Sequence, residues 1–496
     1  MNIIPLFVAI PLGGAFLVSL LGKKTKILSD ILANISTLSL LSLSFVSIFL
    51  TKNSKILVYK VGGWIPPIGI CMVVDGLTNL MLITVNLVAF LVTVYSISYM
   101  ERYTAKGKFY TLFLLMLAGM NGVIVTGDMF NLYVFLEIAA ISSYALVAFG
   151  TEHQELEASF KYAVMGIVAS AFILLGIALL YSYTSTLNMA DMSLALGEDN
   201  FSLIVLFVSV LFIVGFGLKS ALVPFHAWLP DAHPSAPAPI SAILSGVLIK
   251  TLGIYALARV CFSVLGTTPL LLNILMVLGT ISMIVGGLLA IGQVDIKRML
   301  AYSSISQIGY IFLGLGIGTP LAILGGLFHL INHSIFKSLL FLNSGAIEYS
   351  TGTRSLNQMG GLNIRMPVTG YSSLIGSMSI SGIPPLSGFW SKLIIIIAVI
   401  QARHFVYAII AVSVSILTLA YYLKLQKFAF FGQLNEKLQA IKEVPSTMGL
   451  SMILLAIICI IGGLLLTPVF RGFLNAAVDA ILVGKDYANL VFGVVR

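Results

Sequence analysis

The chain has 496 residues, of which 59% are hydrophobic and only 9% are charged. Soluble domains carry about 25% charged residues, so this composition excludes a soluble globular protein and indicates an integral membrane protein. The net charge is +9, but the basic residues lie mostly in short links between apolar runs. The sequence has no long basic patch of the kind that nucleic acid binding requires, and we expect no nucleic acid partner.

The three cysteines, Cys71, Cys261 and Cys459, stand far apart and form no C-x-x-C pattern. We therefore expect no iron–sulfur cluster, attached haem or disulfide framework, and neither a metal nor a cofactor in this chain. The N-terminal run MNIIPLFVAIPLGGAFLVSLLGKK has no basic residue before its apolar part and no small-residue cleavage site. It is expected to be a retained first helix rather than a signal peptide.

Apolar runs of about 20 residues are long enough to cross a bilayer as helices, and here they are separated by Gly, Pro, Asn and charged residues. They predict an all-α integral membrane protein with about fourteen transmembrane helices. In chain order the runs are 3–21, 27–50, 77–99, 109–127, 130–149, 159–183, 201–223, 239–265, 270–291, 300–317, 321–345, 366–400, 406–430 and 448–468.

The predicted topology places both termini on one side of the membrane, because the number of spans is even. Most lysines and arginines of the links, including Lys23, Lys24, Arg102 and Lys106, fall on the opposite side. Positively charged links favour the cytoplasmic side. We therefore expect a multi-pass protein of the cell membrane with both termini facing outward.

Two of the runs are interrupted by proline in a similar way. In the seventh run Lys219 precedes LVPFHAWLP, which contains Pro224, and in the twelfth run GIPPLSGFW, which contains Pro384 and Pro385, precedes Lys392. Proline removes a helical hydrogen bond, so both helices are expected to be broken. The breaks lie five helices apart, an odd number, which predicts inverted repeats of the kind found in ion transporters. The predicted units are residues 1–108, 109–265, 266–431 and 432–496, of which the second and third are the repeats.

Glu137, in NLYVFLEIAAISSYAL, is the one acidic residue that lies well inside a predicted span. Acidic residues inside a membrane are rare without a function. One interpretation is a carboxyl group that is neutralised by burial or held by Ser142 or Ser143. The other pairs it with a lysine, because an opposite charge nearby favours both ionised forms. Such a pair can hold or release a proton according to the distance between the partners.

Further titratable residues follow in later runs. Lys250 lies near the middle of its run, where the side chain cannot easily reach the membrane surface. In GGLFHLINHSIFKSLLFL, His329, His333 and Lys337 recur every four residues and share one helix face. Histidine can accept and donate a proton near neutral pH. The alternatives are two neutral histidines bonded to neighbouring carbonyls and a structural role for Lys337.

Lys392 extends this series beyond the second break, where freed carbonyls need protein or water partners. Water is also what a proton path requires. The residues near span ends, Asp128, Asp231, His226 and His233, are expected to cap helices or lie at the surface. The candidate proton-translocating residues are therefore Glu137, Lys219, Lys250, His329, His333, Lys337 and Lys392.

Several stretches of the sequence resemble one known family. NGVIVTGDMFNLYVFLEIAAISSYALVAFG, GLKSALVPFHAWLPDAHPSAPAPISAILSGVLIKTLGIYALAR, HLINHSIFKSLLFLNSGAI and SGIPPLSGFWSKL resemble the antiporter-like subunits shared by respiratory complex I, multisubunit Mrp cation/proton antiporters and membrane-bound hydrogenases. In length and in the motif YTSTLNMADM the chain is most similar to the D-type subunit of Mrp systems and its counterpart in hydrogenase or ferredoxin-dependent complexes.

The resemblance implies fourteen helices with two inverted five-helix repeats, helices 4–8 and 9–13, in which helices 7 and 12 are broken. Some complex I relatives have glutamate where Lys392 stands. The family is therefore not uniform in the charge at this position, from which protons would leave toward the next subunit. The long C-terminal lateral helix of the largest relatives is expected to be absent. The resemblance also maps the family's helix-five glutamate, helix-seven lysine, helix-eight lysine, helix-eleven histidines and helix-twelve charge onto Glu137, Lys219, Lys250, His329 with His333, and Lys392.

The leading hypothesis is a proton-translocating subunit of a larger membrane complex, with other membrane subunits and the lipid bilayer as partners and no catalytic redox site in this chain. Sodium needs several oxygen ligands, whereas lysine and histidine suit protons, so any sodium transport is expected in a neighbouring subunit. An Mrp-type antiporter and a redox-driven pump both remain open, although WLPDAHPSAPAPISAILSG looks somewhat more like the hydrogenase and ferredoxin-linked group. The alternative from another class is a stand-alone secondary transporter of a small organic solute, which would need a roomy central pocket.

Overall fold

The computed structural model describes residues 3–22, 25–197 and 203–495. Within these residues, 12 helices are long and apolar enough to cross a membrane, and two shorter apolar helices, Leu6–Leu21 and Ser387–Gln401, lie in the first and twelfth predicted runs. The helical membrane architecture is thus confirmed, and the count of fourteen crossings stays a prediction. Lys23, Lys24 and the predicted start of the seventh span at Phe201 lie outside the described residues.

The helices follow the apolar runs, and their ends shift where a link residue caps a helix. The sixth helix begins earlier than predicted because Glu152 and Glu155 form a capping box at its start. In chain order the helices are α1 (Leu6–Leu21), α2 (Lys26–Ser54), α3 (Gly76–Tyr99), α4 (Lys106–Val125), α5 (Met129–Val147), α6 (His153–Thr184), α7 (Met189–Ala195), α8 (Leu203–Ser220), α9 (Leu229–Ser235), α10 (Ala238–Leu265), α11 (Pro269–Ile291), α12 (Ile296–Ile317), α13 (Pro320–Thr351), α14 (Pro367–Ser381), α15 (Ser387–Gln401), α16 (Phe405–Phe430), α17 (Ser446–Leu466), α18 (Arg471–Leu482) and α19 (Tyr487–Val495).

The elements at one edge of the protein were not predicted from the sequence. Two antiparallel strands, β1 (Leu57–Lys60) and β2 (Cys71–Val74), form a small sheet in the link between α2 and α3. Burial raises the pKa of the Cys71 thiol to about 11, so this thiol stays protonated at neutral pH. The short helices α18 and α19 follow the last span, and α18 packs so closely on the start of α3 that a side chain at Gly76 would overlap the carbonyl of Ala476.

Both predicted helix breaks are present. The helix that carries Lys219 ends at Ser220 and helical structure resumes at Leu229, while the twelfth run is divided between Ser381 and Ser387. The second break begins at Gly382, whose φ of 82° lies in the left-handed region that glycine adopts without strain.

The two halves of the chain share local features at matching places. α6 and α13 each have 32 residues. Asp128 and Asp295 cap the starts of α5 and α12 by accepting a backbone hydrogen bond from the first turn. Each aspartate also forms an isolated β-bridge with the chain beyond the long helix, at Asn188 and Ser355 respectively. These correspondences support two related units, whose boundaries stay predictions.

A line of buried polar side chains, here called the α2–α3 seam, joins α2 to α3. Apart from Ser47, its members recur every seven residues on each helix and so face the partner helix. Lipid tails provide no hydrophobic drive for two helices to associate, so hydrogen bonds between helices contribute to holding them together. The bonds link Thr37 to Thr93 at 2.9 Å, Asn86 to Ser44 at 2.9 Å, Ser47 to Asn79 at 2.6 Å and Asn79 to Thr51 at 2.7 Å.

Buried ion pairs lie beyond both ends of the seam. At one end Lys106 Nζ lies 2.7 Å from Asp30 Oδ2, and Tyr110 donates a hydrogen bond to the same carboxylate. At the other end the Arg259 guanidinium donates two hydrogen bonds of 2.7 and 2.8 Å to the carboxylate of Asp75. Neither pair was predicted, because the partners are remote in sequence and lie near the ends of spans.

We expect Arg259→Met to destabilise the protein, because it leaves the buried carboxylate of Asp75 without its partner. Removing one member of a buried ion pair costs about 3–5 kcal/mol in the free energy of unfolding. The thermal unfolding temperature of the purified protein in detergent should therefore fall, while that of the exposed-site control Arg471→Met should not. An Arg259→Met protein as stable as the wild type would contradict a stabilising pair.

Candidate functional site

The only predicted intramembrane carboxylate, Glu137, lies beside the lysine of the first broken helix. Lys219 Nζ is 3.7 Å from Glu137 Oε1, and the Tyr144 hydroxyl lies 3.4 Å from the same ammonium group. Ser170 of α6 donates a hydrogen bond to Glu137 Oε1. The side chain of Lys219 is only 4% exposed, whereas that of Glu137 is 23% exposed, so the pair connects the interior to the lateral surface.

Two residues of this cluster, Ser170 and Tyr144, were not predicted from the sequence. Ser142 and Ser143, the partners of Glu137 in one of the two interpretations, instead donate to carbonyls of their own helix. The hydroxyl that donates to the Glu137 carboxylate belongs to Ser170, which follows Glu137 by 33 residues and lies on the next helix, α6. Tyr144 could have been found, because it follows Glu137 by seven residues and so lies on nearly the same face of α5.

The break after Lys219 is stabilised by groups that replace the lost helical hydrogen bonds. Ala221 adopts a φ of 57°, which turns the chain out of the helix. Trp228 Nε1 donates to the carbonyl of Leu218 at 3.0 Å. Val223 N donates to Ser282 Oγ of α11 at 2.9 Å. The end of α8 is therefore fixed, and Lys219 is held at the point where regular helix stops.

Lys250 lies fully buried in the centre of α10. This helix contains π-helical turns at Leu244–Leu248 and Lys250–Tyr255, which alter the usual backbone bonding and are frequent at functional sites. The Lys250 ammonium group donates to the carbonyl of Ser245, one turn earlier. Gly253 packs directly on Ser220, since a side chain there would overlap the Ser220 backbone. The turn that carries Lys250 thus contacts the break that carries Lys219.

The next residues lie on α13, which is buried on all sides from Ala322 to Ile347 and packs on α10. A side chain at Gly246 of α10 would overlap Ser338 Oγ of α13. The rings of His329 and His333 are parallel to within 10°, with centroids 6.2 Å apart. His329 Nδ1 lies 2.9 Å from Ser391 Oγ. His329 Nε2 and both ring nitrogens of His333 have no hydrogen-bond partner in the described part of the protein.

Lys337, four residues beyond His333, is held more firmly than the histidines. Its ammonium group donates to the carbonyl of Leu300 at 2.7 Å and to the Tyr422 hydroxyl at 3.2 Å. This arrangement fits the structural alternative as well as a relay.

Lys392 lies in α15, just beyond the second break. Its ammonium group is 3.3 Å from Ser415 Oγ and 5.0 Å from the centre of the Tyr310 ring. The hydrogen bond between the preceding Ser391 and His329 connects α15 to the histidines of α13.

The seven predicted residues thus occupy adjacent helices, from α5 and α8 through α10 and α13 to α15. Carboxylates are confined to one end of this series: none lies within ion-pair distance of Lys250, Lys337 or Lys392 among the described residues. Ammonium groups without a counter-charge have a high electrostatic free energy in a medium of low dielectric constant. The series, here called the lysine–histidine axis, therefore consists of groups that can give up a proton.

Of the residues expected at caps or surfaces, one prediction was wrong. Asp128 caps α5, and Asp231 lies near Lys161 and Arg298 at the surface. His233, however, is fully buried and stacks on the ring of Phe341 at 4.5 Å. It is buried because the broken segment after α8 folds back into the protein as α9.

Known protein families match most of this chain. A family model described as NADH:quinone oxidoreductase/Mrp antiporter, TM, matches residues 126–418, which include the whole lysine–histidine axis. A second model, described as NADH-ubiquinone oxidoreductase (complex I), chain 5 N-terminus, matches residues 64–110.

Among curated proteins, the D-type subunit of a Na(+)/H(+) antiporter from Alkalihalophilus pseudofirmus is 35% identical over 92% of this chain and 93% of its own length. The N-type subunit of an NADH-quinone oxidoreductase from Desulforudis audaxviator is 37% identical over 76% of each chain.

Two solved complexes contain similar chains, each aligned over 99% of both chains. One, the Mrp complex from Dietzia sp., matches with a TM-score of 0.90 and 28% identity. The other, a membrane-bound sulfane sulfur reductase described as an archaeal respiratory membrane complex, matches with a TM-score of 0.89 and 33% identity. By sequence and by structure, this multi-pass chain belongs to the NADH:quinone oxidoreductase/Mrp antiporter family of membrane proteins.

Proposed function

We propose that this chain is a proton-translocating, antiporter-like subunit of a multisubunit membrane complex. The observation that carries the proposal is the lysine–histidine axis: one lysine–carboxylate pair near the lateral surface, followed by buried basic groups without counter-charges. The helices that bear these groups contact each other in series. A proton entering at one end can therefore be passed between groups that are each able to bind and release it.

Proton loading is assigned to the pair of Glu137 and Lys219. At 3.7 Å the carboxylate stabilises the ammonium form of the lysine. Movement or protonation of Glu137 removes this stabilisation, and Lys219 then releases its proton toward Lys250. Because Ser170 and Tyr144 also contact the pair, they are positioned to set its geometry.

Transfer through the centre is assigned to Lys250 and the two histidines. Lys250 has a backbone carbonyl as its partner, so its charge is weakly compensated. Gaps longer than a hydrogen bond require bridging water, and the unpartnered nitrogens of His329 and His333 are groups that such water would contact. Lys392 is the exit, where its charge acts on the neighbouring subunit.

The lateral position of Glu137 supports a neighbouring subunit on the opposite side of the axis. Phe130, Val134 and Ile141 flank Glu137 on the same face of α5 and are exposed. A carboxylate facing lipid tails is costly, so this face is one that a partner protein would cover. We place the complex in the cell membrane with both termini outward, on the basis of the link charges.

The complex is either an Mrp-type antiporter or a redox-driven pump, and relatives of both kinds match this chain. We propose that the chain itself holds no redox cofactor. The stand-alone transporter is not supported, because the curated relatives are named as subunits and the solved matches are complexes. Identification of the subunits that co-purify with the chain decides between the two: redox subunits indicate a pump, and a set of small Mrp-type membrane subunits indicates an antiporter.

A variant of Lys392 tests which ion this subunit carries. We expect Lys392→Ala to abolish proton flux in vesicles reconstituted with the complex, and sodium flux with it, because unit charges across a short gap of low dielectric constant interact by several kcal/mol. Both fluxes are measured with ion-sensitive dyes, and Lys427→Ala, at an exposed lysine, is the control. Intact proton flux in an assembled Lys392→Ala complex would refute the role of this residue.

A further inference from the structure

A large cavity opens at the edge of the protein, away from the lysine–histidine axis. It has a volume of about 1110 Å³ and lies between the end of α2, the start of α3 and the C-terminal helices α18 and α19. Pockets for drug-sized ligands typically measure about 300–1000 Å³. This cavity, here called the C-terminal groove, takes no part in the proposed proton transfer.

The walls of the C-terminal groove are largely apolar. Phe49, Phe470, Phe473, Leu482 and Leu490 line it, and all but Phe473 are exposed large hydrophobic residues. The groove lies where the spanning helix α2 ends and α3 begins, and the ends of spanning helices lie at the membrane–water interface. The groove thus combines a membrane-interface position with walls suited to hydrocarbon chains.

The unpaired charges at the groove are predominantly basic. Lys52 and Lys55 line it and are exposed, and neither has an ion-pair partner among the described residues. Asp479 is the one acidic residue of the lining whose charge is unpaired there. Asp75 also contributes to the wall, but its carboxylate is neutralised by Arg259. Two ammonium groups against one free carboxylate favour an anionic ligand.

We propose that the C-terminal groove binds an anionic phospholipid, with its phosphate at Lys52 and Lys55 and its acyl chains along the phenylalanine-lined wall. Lysine binds phosphate as a point charge, and the apolar walls gain free energy by covering methylene groups. Such a lipid would bridge α2 to the C-terminal helices. The inference is independent of the proposed proton path.

The first test measures lipid preference. The purified complex is equilibrated in nanodiscs of equal phosphatidylglycerol and phosphatidylcholine, and the retained lipid is identified by native mass spectrometry. We expect the wild type to retain phosphatidylglycerol in preference to phosphatidylcholine. In Lys52→Gln/Lys55→Gln the ratio of retained phosphatidylglycerol to phosphatidylcholine should fall by about 30-fold, because two lysines at an anionic surface contribute about this factor. The control Lys437→Gln/Lys442→Gln changes two exposed lysines elsewhere and should behave as the wild type. Equal preference in wild type and Lys52→Gln/Lys55→Gln would overturn the proposal.

The second test fills the groove without disturbing the fold. A side chain at Gly472, which lines the groove, meets no atom within 4 Å, and the same holds for Gly493 outside it. Gly472→Trp should therefore expel the lipid, whereas Gly493→Trp should not. A photo-reactive label on Gly472→Cys should cross-link to phospholipid. Retention of lipid by Gly472→Trp, or cross-linking to a neighbouring subunit in place of lipid, would contradict a lipid site.

Discussion

Proton translocation should be lost in Glu137→Ala and in Lys219→Ala, although both variants should still assemble into the complex. Each change removes one member of the pair at 3.7 Å and with it the interaction that controls proton loading. We expect the flux in reconstituted vesicles to fall by at least about tenfold, equivalent to about 1.4 kcal/mol in the barrier. Assembly is measured by co-purification of the other subunits.

Serine variants provide a matched control for this pair. Ser170→Ala removes the hydroxyl that donates to Glu137 and should weaken transport, whereas Ser142→Ala removes a hydroxyl that bonds only within its own helix and should leave it unchanged. If Glu137→Ala and Lys219→Ala both prevented assembly, the pair would be structural. If both were fully active, proton loading would have to occur elsewhere.

Lys250→Ala should block transfer between the two halves of the axis, because α10 lies between α8 and α13 and Lys250 is its central basic group. Lys250→Arg should fail as well, although it preserves the positive charge, since arginine does not release its proton at accessible pH. The measurement is proton flux in vesicles, again expected to fall by at least about tenfold.

The arginine variant separates two roles of Lys250. An active Lys250→Arg complex would make this lysine an electrostatic fixture rather than a proton carrier. Thermal unfolding of the variant provides the control for packing, because the site is fully buried. An inactive variant with an unchanged unfolding temperature would have lost the transfer step alone.

Much of the fold could be predicted because the membrane permits few solutions. A run of apolar residues must satisfy its backbone hydrogen bonds internally and so forms a helix, and prolines beside lysines indicated both breaks. The spacing of His329, His333 and Lys337 predicted that they share one helix face, and in α13 the rings of the two histidines lie parallel with centroids 6.2 Å apart. Local pattern was sufficient in these cases, since each depends on a single helix.

Contacts between distant segments could not be read from the sequence. Ser170 meets Glu137 only because α6 packs on α5 in one particular rotation, and the hydropathy of α6 does not reveal that rotation. Asp75 and Arg259 pair across the fold, and each alone resembles an ordinary residue at the end of a span. The predicted surface position of His233 was wrong for a related reason. Proline in the sequence indicates a helix break, but it does not show whether the chain after the break turns toward water or back into the protein.

The α2–α3 seam has a consequence for how the N-terminal helices find their correct alignment. Because its polar residues, apart from Ser47, repeat every seven positions, sliding one helix past the other by about 10.5 Å would again place hydroxyl and amide groups opposite each other. The seam by itself therefore favours association of α2 with α3 without selecting one alignment. The ion pairs beyond its ends do not repeat: Asp30 meets Lys106 of α4, and Asp75 meets Arg259 of α10. A displaced α2 would leave Asp30 and Lys106 unpaired, and a displaced α3 would leave Asp75 and Arg259 unpaired, so the correct register is selected only when α4 and α10 have been inserted.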